Sequence, residues 1–414
     1  MNILLVNHYI GSPHYGMDFR PYYISREWVK MGHNVTMLGA SQSHIRRIQP
    51  DVEDELTIEM IDGIQYVWIK TPAYDKSSSI KRIKNIISFV TKAYKHASKL
   101  AELAKPDWVI ASSCYPLDIY PSHRIAKIAK ARLCFEVHDI WPLTPMLLGG
   151  YSKLHPFILT MQMAENYMCR NSEKIVSLLW NAEDHYREHG FRGKFYCVPN
   201  GYSKEEWTED AFKMELPNDH SILLKKLREE GKTIVGFAGG FAVSGAVDIL
   251  VHSASFLKNY SNIHIVLVGK GPELSNYVRY IQENHLSNVS ILPEVPKVLI
   301  PALVSNFDIG YLGGRHSVLH KYGTSYNKMT DYMLCGIPIV QAVDEPGSVV
   351  ERVNCGLRFE AENPELLASK IITISEMPKL ERIKMGERGR EYVKNNLEWS
   401  VLAERFIKDL EDGE

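Results

Sequence analysis

Short apolar runs of strand length alternate with stretches whose apolar residues fall at helical spacing, and this rhythm constrains the fold most. It runs through the chain twice. The first pass contains "NILLVN", "NVTMLGA", "WVIASS", "RLCFEVHD", "KIVSLL" and "KFYCVPNG"; the second contains "TIVGFAGG", "IHIVLVGKGPE", "VSILPEV", "DIGYLG", "GIPIV" and "GLRF". Strands separated by helical patterns predict a parallel sheet wrapped by helices, with right-handed crossovers. The expected class is therefore α/β, with two Rossmann-like, doubly wound parallel-sheet domains facing a cleft. At 414 residues the chain is too long for one compact core, which agrees. The expected boundaries are a first domain over 1–205, a polar linker over 206–230, a second domain over 231–390 and an amphipathic C-terminal helix over 391–414.

Composition removes several functions. Charged residues make up 23% and the net charge is -1, so no broad field recruits nucleic acid. The six cysteines are isolated and mostly flanked by apolar residues, as expected of reduced core thiols in a cytoplasmic protein. "MNILLVNHY" reads as a first strand rather than a signal peptide, and no apolar run is long enough to span a bilayer. A soluble or membrane-peripheral protein is expected.

In doubly wound sheets, ligands bind beyond the carboxyl ends of the strands. The strongest such segment is "GTSYNKMTDYMLCGIPIV", Gly323 to Val340. Thr324 or Ser325 can cap a helix there, and its free first-turn amides favour an anion. Asn327, Lys328 and Asp331 share one helical face, suiting a diphosphate and ribose hydroxyls. The plainer alternative is a capped helix with a Lys328–Asp331 surface pair. Gly239 and Gly240 follow a strand, where the missing Cβ lets backbone approach a ligand or simply permits a tight turn. Gly269 opens a similar turn, in which Glu273 could bond a base or ribose, or begin the next helix.

In the first pass, Gly11, Ser12 and Gly16 lie in the first strand-helix loop. Neither G-x-G-x-x-G nor a Gly-rich Lys-Ser/Thr phosphate loop is present. Arg20 can reach a phosphate from the helix start, or form a local ion pair with Asp18. Glu136, His138 and Asp139 cluster at a strand end, where they could bind sugar hydroxyls or handle a proton. No metal-ligand spacing and no G-x-S-x-G elbow stand out. Residues 76–99 join Lys76, Lys81, Arg82, Lys84, Lys92, Lys95 and Lys99 with Ile80, Ile83, Ile86, Ile87, Phe89 and Val90. That composition suits an anionic membrane surface, or a solvated helix packed on its own domain.

"GMDFRPYYISREWVKMGHNVT", "FEVHDIWP", "VPNG", "VGKGPE" and "SYNKMTDYMLCGIPIV" together resemble bacterial glycosyltransferases of family four. The resemblance is to the branch that builds O-antigen and capsule repeat units, some members of which transfer N-acetylfucosamine. It implies the two-domain GT-B fold, with the C-terminal helix crossing back to the first domain. It also implies a UDP-linked sugar donor, retention at the anomeric carbon, no metal or other cofactor, and a lipid-diphosphate-linked glycan acceptor. By the same resemblance Asp331 matches the second acidic position of the family's E-x7-E motif, which holds the donor ribose. Asn327, Lys328 and the amides near Ser325 match the diphosphate grip. Gly239, Gly240, Gly269 and Glu273 line the donor, His138 faces the transferred sugar, and Arg20 lies at the cleft. Catalytic roles fall to His138, Asp139 and Lys328, and acceptor or cleft positions to Gly11, Ser12, Arg20 and Glu136.

Two departures stand out. The first acidic position falls at Gly323, and "GGFAVSGAVD" lacks the Arg and Lys that many members carry after the glycine turn. Lys328, Arg315 and Lys321 are the cations at hand to replace them. A nucleotide-sugar epimerase on the same architecture and a donor-site-degenerate assembly subunit are the alternative functions.

Overall fold

The computed structural model describes residues 1–16, 20–74 and 79–413. Asp18 and Lys76, both singled out above, lie outside them. The chain divides into two compact units, residues 1–200 with 399–414, and residues 201–398.

The first unit holds an eight-stranded sheet. Its strands are β1 (Asn2–Val6), β2 (Asn34–Ala40), β3 (Leu56–Ile61), β4 (Ile64–Ile69), β5 (Trp108–Ala111), β6 (Arg132–Val137), β7 (Lys174–Ser177) and β8 (Lys194–Cys197). They lie in the order β3-β4-β2-β1-β5-β6-β7-β8. The second unit carries β9 (Thr233–Ala238), β10 (Ile263–Val268), β11 (Val289–Leu292), β12 (Ile309–Gly313), β13 (Ile339–Ala342) and β14 (Gly356–Phe359), in the order β11-β10-β9-β12-β13-β14. Every pairing is parallel except β3 with β4. Those two close a hairpin through Asp62 and Gly63, both at positive φ, the two-residue turn that matches strand twist. The central strands are buried along nearly their whole length, because helices cover both sheet faces.

Two expected segments differ in the structure, and one strand was not foreseen. Residues 206–230 are no linker: they carry the helices Glu209–Phe212 and Asn218–Glu229 and belong to the second unit. The last amphipathic stretch is two helices, Lys379–Asn396 in the second unit and Trp399–Glu411 in the first. The sheet of the first unit ends in an antiparallel edge strand, β3, that the strand rhythm did not reveal.

The final helix is anchored by specific contacts. Trp28 donates from Nε1 to Ala403 O at 3.1 Å and meets Phe406 edge-on, while Tyr23 stacks on Trp399. Lys174 donates Nζ to the carbonyls of Asp409, Leu410 and Asp412 at 2.6–2.8 Å. A buried ammonium thus satisfies carbonyls that the helix end leaves without intrahelical partners.

Candidate active site

In the second sheet the strand order reverses between β9 and β12, the place where such sheets bind ligands. Gly239 and Gly240 follow β9. A Cβ on Gly239 would stand 2.3 Å from Lys328 Cε, so only glycine lets the lysine lie across the strand end. A Cβ on Gly269 would stand 1.9 Å from Gly239 O, so the turns after β9 and β10 pack backbone on backbone. Around Gly240 the space is open.

Lys328 lies in the first turn of the helix Asn327–Cys335, which Gly336 stops in the left-handed conformation. Its Nζ sits 5.2 Å over the Phe237 ring, and among the described residues it has no hydrogen-bond or ion-pair partner. Burial lowers its pKa, and the charge of Asp331 works in the opposite direction. Asp331 is half-buried; burial raises its pKa to about 7 against the pull of Lys328 and Lys297. The two do not close the surface ion pair that was the plainer alternative for this helix.

The expected cap is also wrong. The N-cap residue is Tyr326, and no side chain caps the helix. Thr324 instead gives its N–H and hydroxyl to Glu345, at 2.9 and 2.5 Å. Ser325 is half-buried and Asn327 exposed beside the uncapped turn. Glu273 occupies the N-cap position of the helix Leu274–Glu283 and accepts from Asn276 Nδ2 at 2.9 Å, so it begins that helix. Arg315 is held by Asp248, Glu362 and the Val243 carbonyl and does not replace the missing cations; Lys321 lies over the Tyr322 ring.

In the first unit, Glu136 is the penultimate residue of β6, with its side chain fully buried. Arg20 donates Nε to Glu136 Oε1 at 2.8 Å and Nη1 to Pro199 O at 2.6 Å. Ser112, just past β5, donates its hydroxyl to Glu136 Oε2 at 2.5 Å, and His138 Nε2 lies 3.0 Å from the same oxygen. Burial alone would raise the Glu136 pKa, but Arg20 and His138 hold the carboxyl well below its usual range. An ionised carboxylate only accepts, so His138 Nε2 carries a proton. Nδ1, which meets no protein group among the described residues, is the edge left for a hydroxyl. Arg20 Nη2 and Ser12 Oγ are buried without partners among the described residues. Gly11 O accepts from Tyr66.

Asp139 is engaged by its own turn. Its oxygens accept from Ile140 N, Thr144 Oγ1 and Trp141 Nε1, all within five residues. This carboxylate organises the turn into the helix Leu143–Gly149.

Residues 16–206 match the family model "Glycosyltransferase Family 4", and residues 232–377 match "Glycosyl transferases group 1". The chain is a glycosyltransferase. Among solved structures, this glycosyltransferase is similar to sucrose-phosphate synthase from Thermosynechococcus elongatus. That match has a TM-score of 0.68 and 15% identity, over 98% of this chain and 97% of that one. It is also similar to HepE of Anabaena in complex with UDP and glucose, with a TM-score of 0.65 and 14% identity over 99% of each chain. The α,α-trehalose-phosphate synthase (UDP-forming) from Burkholderia vietnamiensis has a TM-score of 0.69 and 12% identity, again over 99% of each. At such identities the likeness carries the GT-B fold alone. No curated protein matches the sequence.

Within the glycosyltransferase, the second unit brings Gly239, Lys328 and the uncapped helix start together, and the first brings Arg20, Glu136 and His138 together. Two participants went unnoticed in the sequence. Ser112 stands just past the carboxyl end of β5, as His138 stands just past β6, and the same strand-end rule would have found it. Glu345 stands three residues past β13; it fixes the loop before the helix and also accepts from Gln341 Nε2.

Proposed function

We propose that this glycosyltransferase moves a sugar, in the narrower reading an N-acetylated one, from a UDP-linked donor to a hydroxyl of a lipid-diphosphate-linked oligosaccharide. Surface polysaccharide assembly, as for O-antigen or capsule, is the setting. The observation that carries the donor assignment is Lys328: an ammonium with no hydrogen-bond or ion-pair partner among the described residues, beside glycine backbone and an uncapped helix start. Opposing these positive groups is what a diphosphate does. UDP is preferred because HepE of Anabaena, which shares this fold, is described in complex with UDP.

In the reaction, the bond between the anomeric carbon and the diphosphate oxygen breaks while the acceptor oxygen attacks the same face. The acceptor's proton passes to the departing phosphate, so configuration is retained without a covalent enzyme intermediate. Lys328 and the helix amides stabilise the growing charge on UDP, which makes the step independent of a metal ion. His138, set by Glu136, accepts or donates a hydrogen bond to a sugar hydroxyl through Nδ1. The test is a thermal-shift series with UDP, GDP and dTDP: UDP should raise Tm most. A chain that no nucleoside diphosphate stabilises would refute the donor assignment.

Asp331 supplies a second check. As ribose acceptor it works ionised, so donor affinity should improve as pH rises through about 7, the value to which burial lifts its pKa. Asp331→Asn should flatten that profile and weaken donor binding by about 10- to 100-fold, the worth of a charged hydrogen bond. Stability should respond the other way. A raised folded-state pKa gives stability that is full below the unfolded value and lost as pH rises through about 7. The unliganded Asn variant should therefore gain Tm over the wild type above pH 7. An unchanged KM for the donor would remove Asp331 from the site.

The lipid-linked acceptor calls for a surface that meets the bilayer. On the helix Ile80–Lys95, Ile86, Phe89 and Ala93 pack inward. Ile80, Ile83 and Ile87 are 73%, 40% and 52% exposed and line up at i, i+3 and i+7, beside Lys84 and Lys95. Leu147, Leu148 and Leu154 are exposed on the segment after β6. Ile86 and Val90 join one cluster with Trp141, Phe157 and Met161, so the two exposed sets flank common ground. Among the described residues no helix is long and apolar enough to cross a membrane. The protein should co-sediment with phosphatidylglycerol vesicles but poorly with phosphatidylcholine ones, and Ile83→Glu with Ile87→Glu should abolish the difference. Equal sedimentation of the variant would show that another surface binds.

A further inference from the structure

Away from both clusters described above, Glu165, His185 and His189 bring three donor atoms within 4.8 Å of one another. Glu165 projects from the helix Pro156–Asn171 and is 1% exposed. His185 lies on the helix Glu183–Glu188 that follows β7, and His189 ends it. A separation of four residues turns both imidazoles to one side of the helix, where their centroids stand 4.4 Å apart. The carboxylate faces both rings: His185 Nε2 is 2.7 Å from Oε1, and His189 Nε2 is 3.8 Å from Oε2. Gln162 donates to Oε2 at 2.7 Å.

The hydrogen bonding of His189 decides how this cluster is read. Its Nδ1 lies 2.7 Å from the carbonyl oxygen of His185, which can only accept, so the proton of the neutral ring is on Nδ1. In the neutral ring that leaves a lone pair on Nε2 with a carboxylate oxygen 3.8 Å away, acceptor facing acceptor unless a proton or a metal ion stands between them. A cation between them removes the conflict. An imidazole whose other nitrogen is fixed on a backbone carbonyl is also the arrangement found around metal-bound histidines.

We propose that Glu165, His185 and His189 bind one divalent transition-metal ion of the zinc type, tying the helix Pro156–Asn171 to the helix after β7. Two imidazole nitrogens and one carboxylate oxygen suit such an ion, with water completing a tetrahedron. Metal-ligand bonds of about 2.0–2.2 Å place tetrahedral donors about 3.4 Å apart. The three donor atoms here lie within 4.8 Å of one another, so the widest pair must close by up to about 1.4 Å and the 2.7 Å contact of His185 must open by about 0.7 Å, shifts that side-chain torsions supply. The site is structural and separate from sugar transfer, whose proposed charge stabilisation comes from Lys328.

Chelator-stripped full-length protein titrated with Zn²⁺ against a chromophoric chelator tests this. One ion per chain is expected, together with a higher Tm and, for Co²⁺, the intense visible absorption of tetrahedral coordination. His189→Gln, at a partly exposed position that the fold tolerates, should weaken the ion by at least about 10-fold and remove the cobalt bands. Glu165→Gln should do the same, with circular dichroism confirming the fold. Undiminished binding in His189→Gln, or no stoichiometric binding in the wild type, would overturn the site and leave a hydrogen-bonded cluster only. Neither result bears on UDP binding, which is read separately.

Discussion

Lys328→Ala is expected to lower kcat/KM by about 100- to 1,000-fold, the range seen when one preorganised donor to a developing negative charge is removed. The fold should survive, because among the described residues the ammonium has no hydrogen-bond or ion-pair partner to abandon. Its stem covers Phe237 and fills the space a Gly239 side chain would take, so the variant leaves a small void rather than an unpaired charge. The loss should fall mainly on kcat, since charge on UDP grows towards the transition state. Steady-state kinetics with a UDP-sugar and acceptor read this directly. Unchanged turnover with the correct donor would end the leaving-group role. Gly239→Ala offers a second approach to the same point: its Cβ would evict Lys328 without touching any charge, and should reproduce much of the defect.

Glu136→Ala is expected to be the most damaging substitution for stability. Arg20 and Glu136 are 4% and 0% exposed, and removing the carboxylate strands a guanidinium that already has one unpartnered nitrogen. Breaking a buried pair in this way costs about 3–5 kcal/mol, or a Tm drop on the order of 10 °C for a domain of this size. Replacing both residues, with Arg20→Met and Glu136→Leu, should recover much of the loss, because no charge then remains buried. The pair also sets an acid limit. The depressed pKa of Glu136 gives stability that is present above the unfolded carboxyl value of about 4.3 and lost as pH falls below it. Melting curves at pH 7 and at about pH 3, well below the unfolded carboxyl value, check both statements. A Glu136→Ala protein melting within about 1 °C of the wild type would mean that the pair contributes nothing.

The fold was legible because its signal is local. A buried parallel strand is an unbroken apolar run, and twelve such runs mark β1, β2 and β5–β14 in place. The hairpin of β3 and β4 escaped because half of β3 faces solvent and its turn, Asp62-Gly63, lies inside one continuous stretch of mixed polarity. The polar residues 206–230 looked like a linker because two short surface helices are mostly hydrophilic. At the sites, residue type showed where chemistry could gather but not which partners each group would find. Asp139 and Glu136 are both acids at the end of one strand. One serves its own turn, while the other is clamped by an arginine 116 positions away, and no spacing rule separates these outcomes. The cap at Thr324 failed for the same reason, since Glu345 claimed it from beyond the next strand.

The return of the helix Trp399–Glu411 to the first unit bears on how the polypeptide matures. During synthesis the first 200 residues leave the ribosome without the segment that covers Trp28 and Tyr23 and receives Lys174. The first unit is therefore completed only after the intervening unit has emerged whole, and a fragment stopped at Asn200 would present bare aromatic surface to chaperones and proteases.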